Sequence, residues 1–309
     1  MIDLTRRKTN TALLMALAAA ALPPIGPAGA DEETRDIRHE LGSTVVSGKP
    51  ARIVALEFSF VQALDALGVV PVGIADDNQA RRIEQLLGKQ IDYASVGTRL
   101  EPNLELVSSL MPDLIIADEV RHAGIYEQLG SIAPTIVLNS WEGDYRTIKE
   151  SVVTIADALG KRGEGQRVLA AHDETIAALA AGIPSGEQRR ILLAVATPDS
   201  MSLHTSSSFT GSVFEALGLT PAIRSSDAVE SGAGLERLIA VKPDILLVAT
   251  DSGGTVLDQW KKNAAWSNIP AIRDGMVFEV DRNQFARFRG LRTAEMIARE
   301  ILEKVYKAG

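Results

Sequence analysis

The chain is predicted to be α/β, built as two similar lobes joined by a single long bridging helix. Three observations carry that reading. Short apolar runs alternate with segments of helical period, the pattern of strand-helix units on a mainly parallel sheet. The block Asn103–Ala117 can be laid over Gly234–Val248 without a gap, with Leu, Glu, Pro and Asp at matching places. Between the two copies, Leu169, His172, Ile176, Leu179 and Ile183 recur at spacings of three and four and form one continuous helical stripe.

Length and composition agree. The 309 residues are 46% apolar and 23% charged, ordinary for a globular chain with room for two domains. Lys plus Arg number 32 against 40 Asp plus Glu, a formal net charge of -8. No global basic field exists to hold a nucleic-acid backbone or an anionic membrane. The absence of cysteine excludes disulfides, thiolate metal sites, Cys nucleophiles and a lipidated N-terminal Cys.

In chain order, Arg6, Arg7 and Lys8 precede an uncharged run from Asn10 to Ala30. Its apolar centre, Ala12 to Leu22, is shorter than the about 20 residues a bilayer needs. Residues 1–30 therefore read as a signal peptide, cut after Ala30 at the small-x-small pattern Ala28-Gly29-Ala30, and the exported remainder carries -10. Nothing later approaches an uninterrupted apolar span, and a monomer in the periplasm is expected. Residues 31–160 form the first lobe, with strands at Arg52–Leu56, Val70–Ala75, Asp113–Ala117 and Thr135–Leu138. Residues 161–184 form the bridging helix, set off from an earlier helical stretch by a turn at Gly160-Lys-Arg-Gly163-Glu-Gly165. Residues 185–309 form the second lobe, with strands at Arg190–Ala196, Asp244–Ala249 and Val277–Val280. In each repeat copy a short amphipathic helix is stopped by a Pro-Asp turn and followed by a buried strand. A second echo points to duplication: Ser59-Phe60 precedes Ala66-Leu67-Gly68, and Ser208-Phe209 precedes Ala216-Leu217-Gly218.

Ligands in open α/β sheets bind beyond the carboxyl ends of the strands. The loops expected there carry Arg99, Arg121, Arg287 and Arg289, with Glu57, Phe58, Trp141, His204 and Phe209 available for the walls. Guanidinium groups in a body of charge -10 suggest a local positive pocket for an anionic, carboxylate-rich small molecule. Arg offers a planar fork that matches carboxylate and stays charged. At about 1.5 to 3 kcal/mol per charged hydrogen bond, four arginines supply roughly 6 to 12 kcal/mol before ordering and desolvation costs. Micromolar binding needs about 8 kcal/mol. The alternative for each arginine is an ion pair with a nearby carboxylate.

The four histidines, His39, His122, His172 and His204, share no metal-ligand spacing, so no direct metal site is expected. His172 on the stripe reads as a packing residue, while His122 and His204 lie in cleft loops with open roles. No nucleophile elbow, Walker loop or GxGxxG occurs. The rival from another class is a hydrolase that breaks an ester bond, using Ser208 with His204.

The stretches 52–60, 72–78, 95–99, 112–118, 121–124, 203–205, 210–212 and 286–290 resemble the class III substrate-binding proteins that deliver iron chelates and cobalamin to ABC importers. The likeness is greatest to the iron(III) dicitrate binders. It implies two Rossmann-like lobes with the ligand in the groove between them, a rigid helix that limits closure, no cofactor and no enzyme activity. Ferric citrate would be gripped from outside by Arg99, Arg121, Arg287 and Arg289, with citrate coordinating the iron. The resemblance also implies that Glu105 and Glu236 dock on an inner-membrane ABC permease dimer. Each acid fits equally well in the first turn of a short helix, where it favours the dipole by about 0.3 to 1 kcal/mol. Other carboxylate or hydroxamate siderophores are the alternative ligands.

Overall fold

The computed structural model describes residues 33–251 and 254–306, so the segment read as a signal peptide lies outside the described residues. The described chain opens on a hairpin the sequence analysis did not anticipate, β1 (Thr34–His39) antiparallel to β2 (Gly42–Ser47). Its residues are mostly polar; only Ile37 and Val46 reach the core. The hairpin leans on the strand Thr135–Leu138 through Glu40 N to Val137 O and Thr44 Oγ1 to Thr135 O, 2.9 and 2.7 Å.

Short runs that are apolar at consecutive positions suit strands covered on both faces. Such runs form the first sheet: β3 (Ile53–Ala55), β4 (Gly73–Ile74), β5 (Ala94–Ser95), β6 (Leu114–Asp118) and β7 (Thr135–Leu138). All pairings are parallel, in the order β5-β4-β3-β6-β7. The expected strand Val70–Ala75 is thus only two residues long. The second sheet contains β8 (Arg190–Ala196), β9 (Met201–His204), β10 (Thr220–Pro221), β11 (Val229–Glu230), β12 (Ile245–Thr250) and β13 (Val277–Asp281). It runs β11-β9-β8-β12-β13, with β10 beside β8; β9 is antiparallel to β8, and β11 to β9. Alternate residues of β8 and β12 feed two separate cores, one on each face.

The repeat extends to its hydrogen bonds. Met111 and Lys242, at matching places before Pro-Asp, both adopt positive φ, 45° and 50°. Asp113 accepts from Arg52 N at 2.9 Å, and Asp244 from Arg190 N at 2.8 Å. Arg52 in turn donates to the carbonyls of Leu110 and Met111, and Arg190 to those of Val241 and Lys242. A helix leaves its last carbonyls unpaired, and a cation placed there satisfies them.

The bridging helix spans Arg162–Ala180. The preceding turn is tighter than expected: Gly160 takes positive φ, but Gly163 and Gly165 already belong to the helix. Gly165 allows close helix contact, since a Cβ there would lie 2.5 Å from that of Ala156. Two further helices also share both cores. Tyr145–Ala158 places Tyr145 and Ile148 with the second sheet and Val152 and Ile155 with the first. Leu291–Ile301 gives Leu291 to the first and Ile297 and Ile301 to the second. His172 pins the three helices together as a buried packing residue, with Nε2 2.5 Å from Tyr145 Oη and Nδ1 2.9 Å from Glu295 Oε1. No helix among the described residues is long and apolar enough to cross a membrane.

Candidate functional site

Strand order in the first sheet reverses between β3 and β6, and a crevice opens beyond the carboxyl ends at such a switch point. Glu57 follows β3, Asp118 ends β6 and Trp141 lies just past β7. A cavity of about 830 Å³ sits here against loops of the second sheet, within the usual size of a small-molecule site. Arg99, Arg121, Arg287 and Arg289 all line it, as do Trp141, His204 and Phe209.

Glu57 and Phe58 do not form walls. Both are buried behind the arginines. Glu57 Oε2 accepts from Arg99 Nη1 at 3.2 Å, and its other oxygen pairs with Arg121. Asp77 holds the far side of Arg99, Oδ2 to Nη2 2.9 Å, and the guanidinium carbon lies 3.9 Å from the Phe58 ring centroid. Burial pushes the Asp77 carboxyl up, but Arg99 and Arg82 outweigh it and leave the net shift downward. Arg121 stacks on Trp141 at 4.1 Å from the ring centroid.

Arg289 differs from these. It is 9% exposed, 5.2 Å from the Trp141 ring centroid, and has no carboxylate partner among the described residues. Its Nε finds no acceptor. Burial, then repulsion from Arg99, holds the Arg289 guanidinium down to about 10. Burial, then repulsion from Arg289, does the same to Arg121. Gly290 permits this placement, because its φ of 146° and the abutting Gln62 leave no room for a Cβ.

Arg287 reaches the cavity on a π-helical turn, Asn283–Arg287, but its charge is spent on Asp251, Nη1 and Nη2 lying 2.8 and 3.0 Å from the two oxygens. The ion-pair alternative thus describes Arg99, Arg121 and Arg287, each of which meets a carboxylate, and Arg282 joins Arg287 on Asp251. Arg287, foremost, and Arg282 hold Asp251 down to about 2. Arg282, Asn139 and residues 226–229 also line the cavity, and sequence reasoning missed them. No periodicity marks such loop residues; the Asp281–Gly290 stretch was legible only as arginine-rich.

Burial and the nearby Arg289 push His204 down to about 3, so its ring is neutral, and Nδ1 has no partner. Ser208 caps the helix Phe209–Ala216: its Oγ donates to Thr205 O at 2.8 Å and accepts from Gly211 N at 3.0 Å. Both bonds go to backbone rather than to His204. Among the described residues no three His, Asp or Glu side chains converge to hold a metal. The groups offered to a guest are guanidiniums, an indole, a neutral imidazole and hydroxyls, a set suited to gripping an anion.

Glu105 and Glu236 lie away from the cavity, each exposed in the first turn of its helix, Leu104–Ser109 and Leu235–Val241.

Comparison with known proteins places the sequence and the fold in a family. The sequence model described as "Periplasmic binding protein" matches residues 53–283. The Fe(3+)-citrate-binding protein YfmC of Bacillus subtilis is 49% identical over 275 residues, covering 89% of this chain and 87% of that protein. The Fe(3+) dicitrate-binding periplasmic protein FecB of Escherichia coli is 38% identical over 268 residues, covering 86% and 89%. Staphylococcus aureus SirA complexed with staphyloferrin B has the same fold, with a TM-score of 0.77 at 23% identity over 88% of this chain and 98% of that one. A two-sheet α/β fold, a cleft between the sheets and a sequence match that runs through both make this chain a member of the periplasmic binding protein family.

Proposed function

We propose that this protein captures ferric citrate in the periplasm and delivers it to an inner-membrane ABC importer. The observation that carries the reading is Arg289, a nearly buried guanidinium on the cavity wall without a carboxylate partner among the described residues. An isolated buried cation is costly, and an entering polycarboxylate removes the cost. Citrate would coordinate the iron, and Arg289, Arg121 and Arg99 would grip outer carboxylate oxygens, with Arg287 at the rim and Trp141, His204 and Phe209 as walls. The relatives named for ferric citrate support this choice of chelate.

The lobes, residues 31–160 and 185–309, would close modestly about the bridging helix, and Glu105 and Glu236 would then dock on the two permease subunits. Residues 1–30 would direct export and be removed by cleavage after Ala30, and the protein would act as a monomer. Nothing is chemically transformed: the commitment of Ser208 to its helix cap and the weak basicity of His204 both speak against an esterase pair.

Calorimetry on the exported chain with ferric citrate, iron-free citrate and a ferric hydroxamate tests the reading. Ferric citrate is expected to bind most tightly, and the double substitution Arg99→Ala, Arg289→Ala to weaken it at least about tenfold. Unchanged affinity in a folded double variant would reject the pocket assignment.

A further inference from the structure

Three first-lobe residues on the cavity wall, Arg99, Arg121 and Trp141, come from two loops and the one-turn helix Glu119–His122, and two buried side chains tie their backbones together. Asp118 Oδ1 accepts from Arg121 N at 3.0 Å, and Oδ2 accepts from Trp141 N at 2.9 Å. His122, fully buried one turn later, has Nδ1 2.8 Å from Asp118 N and Nε2 2.8 Å from Arg99 O. A backbone N–H donates only to a nitrogen that keeps its lone pair, so Nδ1 is bare. A carbonyl oxygen only accepts, so Nε2 carries the proton. The contacts dictate one tautomer of a neutral ring.

We infer that His122 is a positioning residue for the ligand arginines, a neutral imidazole protonated on Nε2 that clamps the Arg99 loop to the Asp118 turn. The inference rests on the cavity being the anion site. The clamp has a physical task. Arg99 and Arg121 are like charges on the two oxygens of Glu57, and backbone tethers add to the hold of Asp77 on Arg99 and of Trp141 on Arg121 in keeping their spacing. The other tether on the Arg99 backbone is its N–H to Asp77 Oδ1, 3.0 Å. A doubly protonated His122 would set an N–H against the N–H of Asp118 and open the clamp. The charged groups at the ring are Asp118, which favours the cation, and Arg121, which opposes it; Arg99 meets the ring through its carbonyl. Burial dominates and keeps the pKa below the ordinary histidine range. The clamp is therefore closed at neutral pH and opens only in acid.

Long-range proton-nitrogen NMR on the exported chain reads the tautomer without any ligand. A bare Nδ1 with a protonated Nε2 at neutral pH is expected; the other tautomer or a cation overturns the inference. His122→Ala should fold, shift the Arg99 amide and Trp141 indole signals, and bind ferric citrate about tenfold more weakly, since both hydrogen bonds of the clamp are lost. His122→Asn, which keeps an acceptor for Asp118 N, should recover part of that loss. The affinity of His122→Asn should also decline less in acid than that of the natural protein, since both see the same titration of the chelate. Equal affinities and pH profiles in natural and substituted proteins overturn the inference. Should His122→Ala not fold, the tautomer and the Asn comparison still decide. A natural protein that ignores ferric citrate sinks the proposed function instead, while the ligand-free NMR signals continue to test the clamp.

Discussion

Replacing Arg289 by Met keeps most of the side chain's length and removes its charge. In the ligand-free protein the guanidinium is 9% exposed and held down to about 10, against an ordinary value above about 12. At about 1.36 kcal/mol per pKa unit, roughly 3 kcal/mol opposes its charge in the empty cavity. Arg289→Met relieves part of this, so the ligand-free protein should gain about 1 to 3 kcal/mol. For a chain of roughly this size that is a midpoint rise of about 2 to 4 °C per kcal/mol. Ligand binding should change in the opposite sense. Losing one charged hydrogen bond, about 1.5 to 3 kcal/mol, weakens ferric citrate roughly 10- to 150-fold. Thermal unfolding by circular dichroism without ligand and calorimetry with ferric citrate measure the two effects separately. A site kept charged for binding at the expense of stability shows both signs at once. A variant that is less stable without ligand, or that binds as tightly as before, refutes the reasoning.

Glu57→Gln leaves the largely buried Arg121 without its carboxylate, while Arg99 keeps Asp77, and should cost about 3 to 5 kcal/mol in denaturant unfolding, because breaking a buried pair strands the remaining charge; an unmoved midpoint would contradict the pairing. Joint substitution Glu105→Ala, Glu236→Ala should leave ferric citrate affinity in calorimetry unchanged and cut uptake through a reconstituted importer; normal uptake would leave these acids only the dipole contribution of about 0.3 to 1 kcal/mol each. Ser208→Ala should cost about 1 kcal/mol for the lost cap, with ferric citrate recovered intact by mass spectrometry from both proteins; a hydrolysed product that vanishes in the variant would restore the esterase. His204 sits far below the unfolded histidine value of about 6.5, so the unfolded chain binds more protons and stability should fall as pH drops from about 6.5 toward about 3. Midpoints followed across that window should decline more steeply for the natural protein than for His204→Gln, and parallel curves would contradict the assignment.

Much of the architecture was legible because periodicity and turn chemistry are local. The stripe Leu169 to Leu179 announced the bridging helix, which ends at Ala180, short of the expected 184 and of Ile183, and the Pro-Asp pairs at Pro112 and Pro243 announced the two repeat units. The four arginines were also found from their places after strands, and all four reach one cavity. Which of them is free to meet a ligand was not legible. Arg287 is neutralised by Asp251, 36 residues away in sequence, and Arg99 by Glu57 and Asp77, 42 and 22 residues away. Ion pairs between distant loops leave no spacing rule in a chain with 40 acids to choose from. Glu57 was placed on the wall for the same reason, where folding puts it behind the wall as the anchor of two cations. The sequence alone thus determined which residue types gather at the cleft; only the packing of loops from both sheets decided their charge balance, because desolvation and Coulomb forces depend on distance in space and not along the chain.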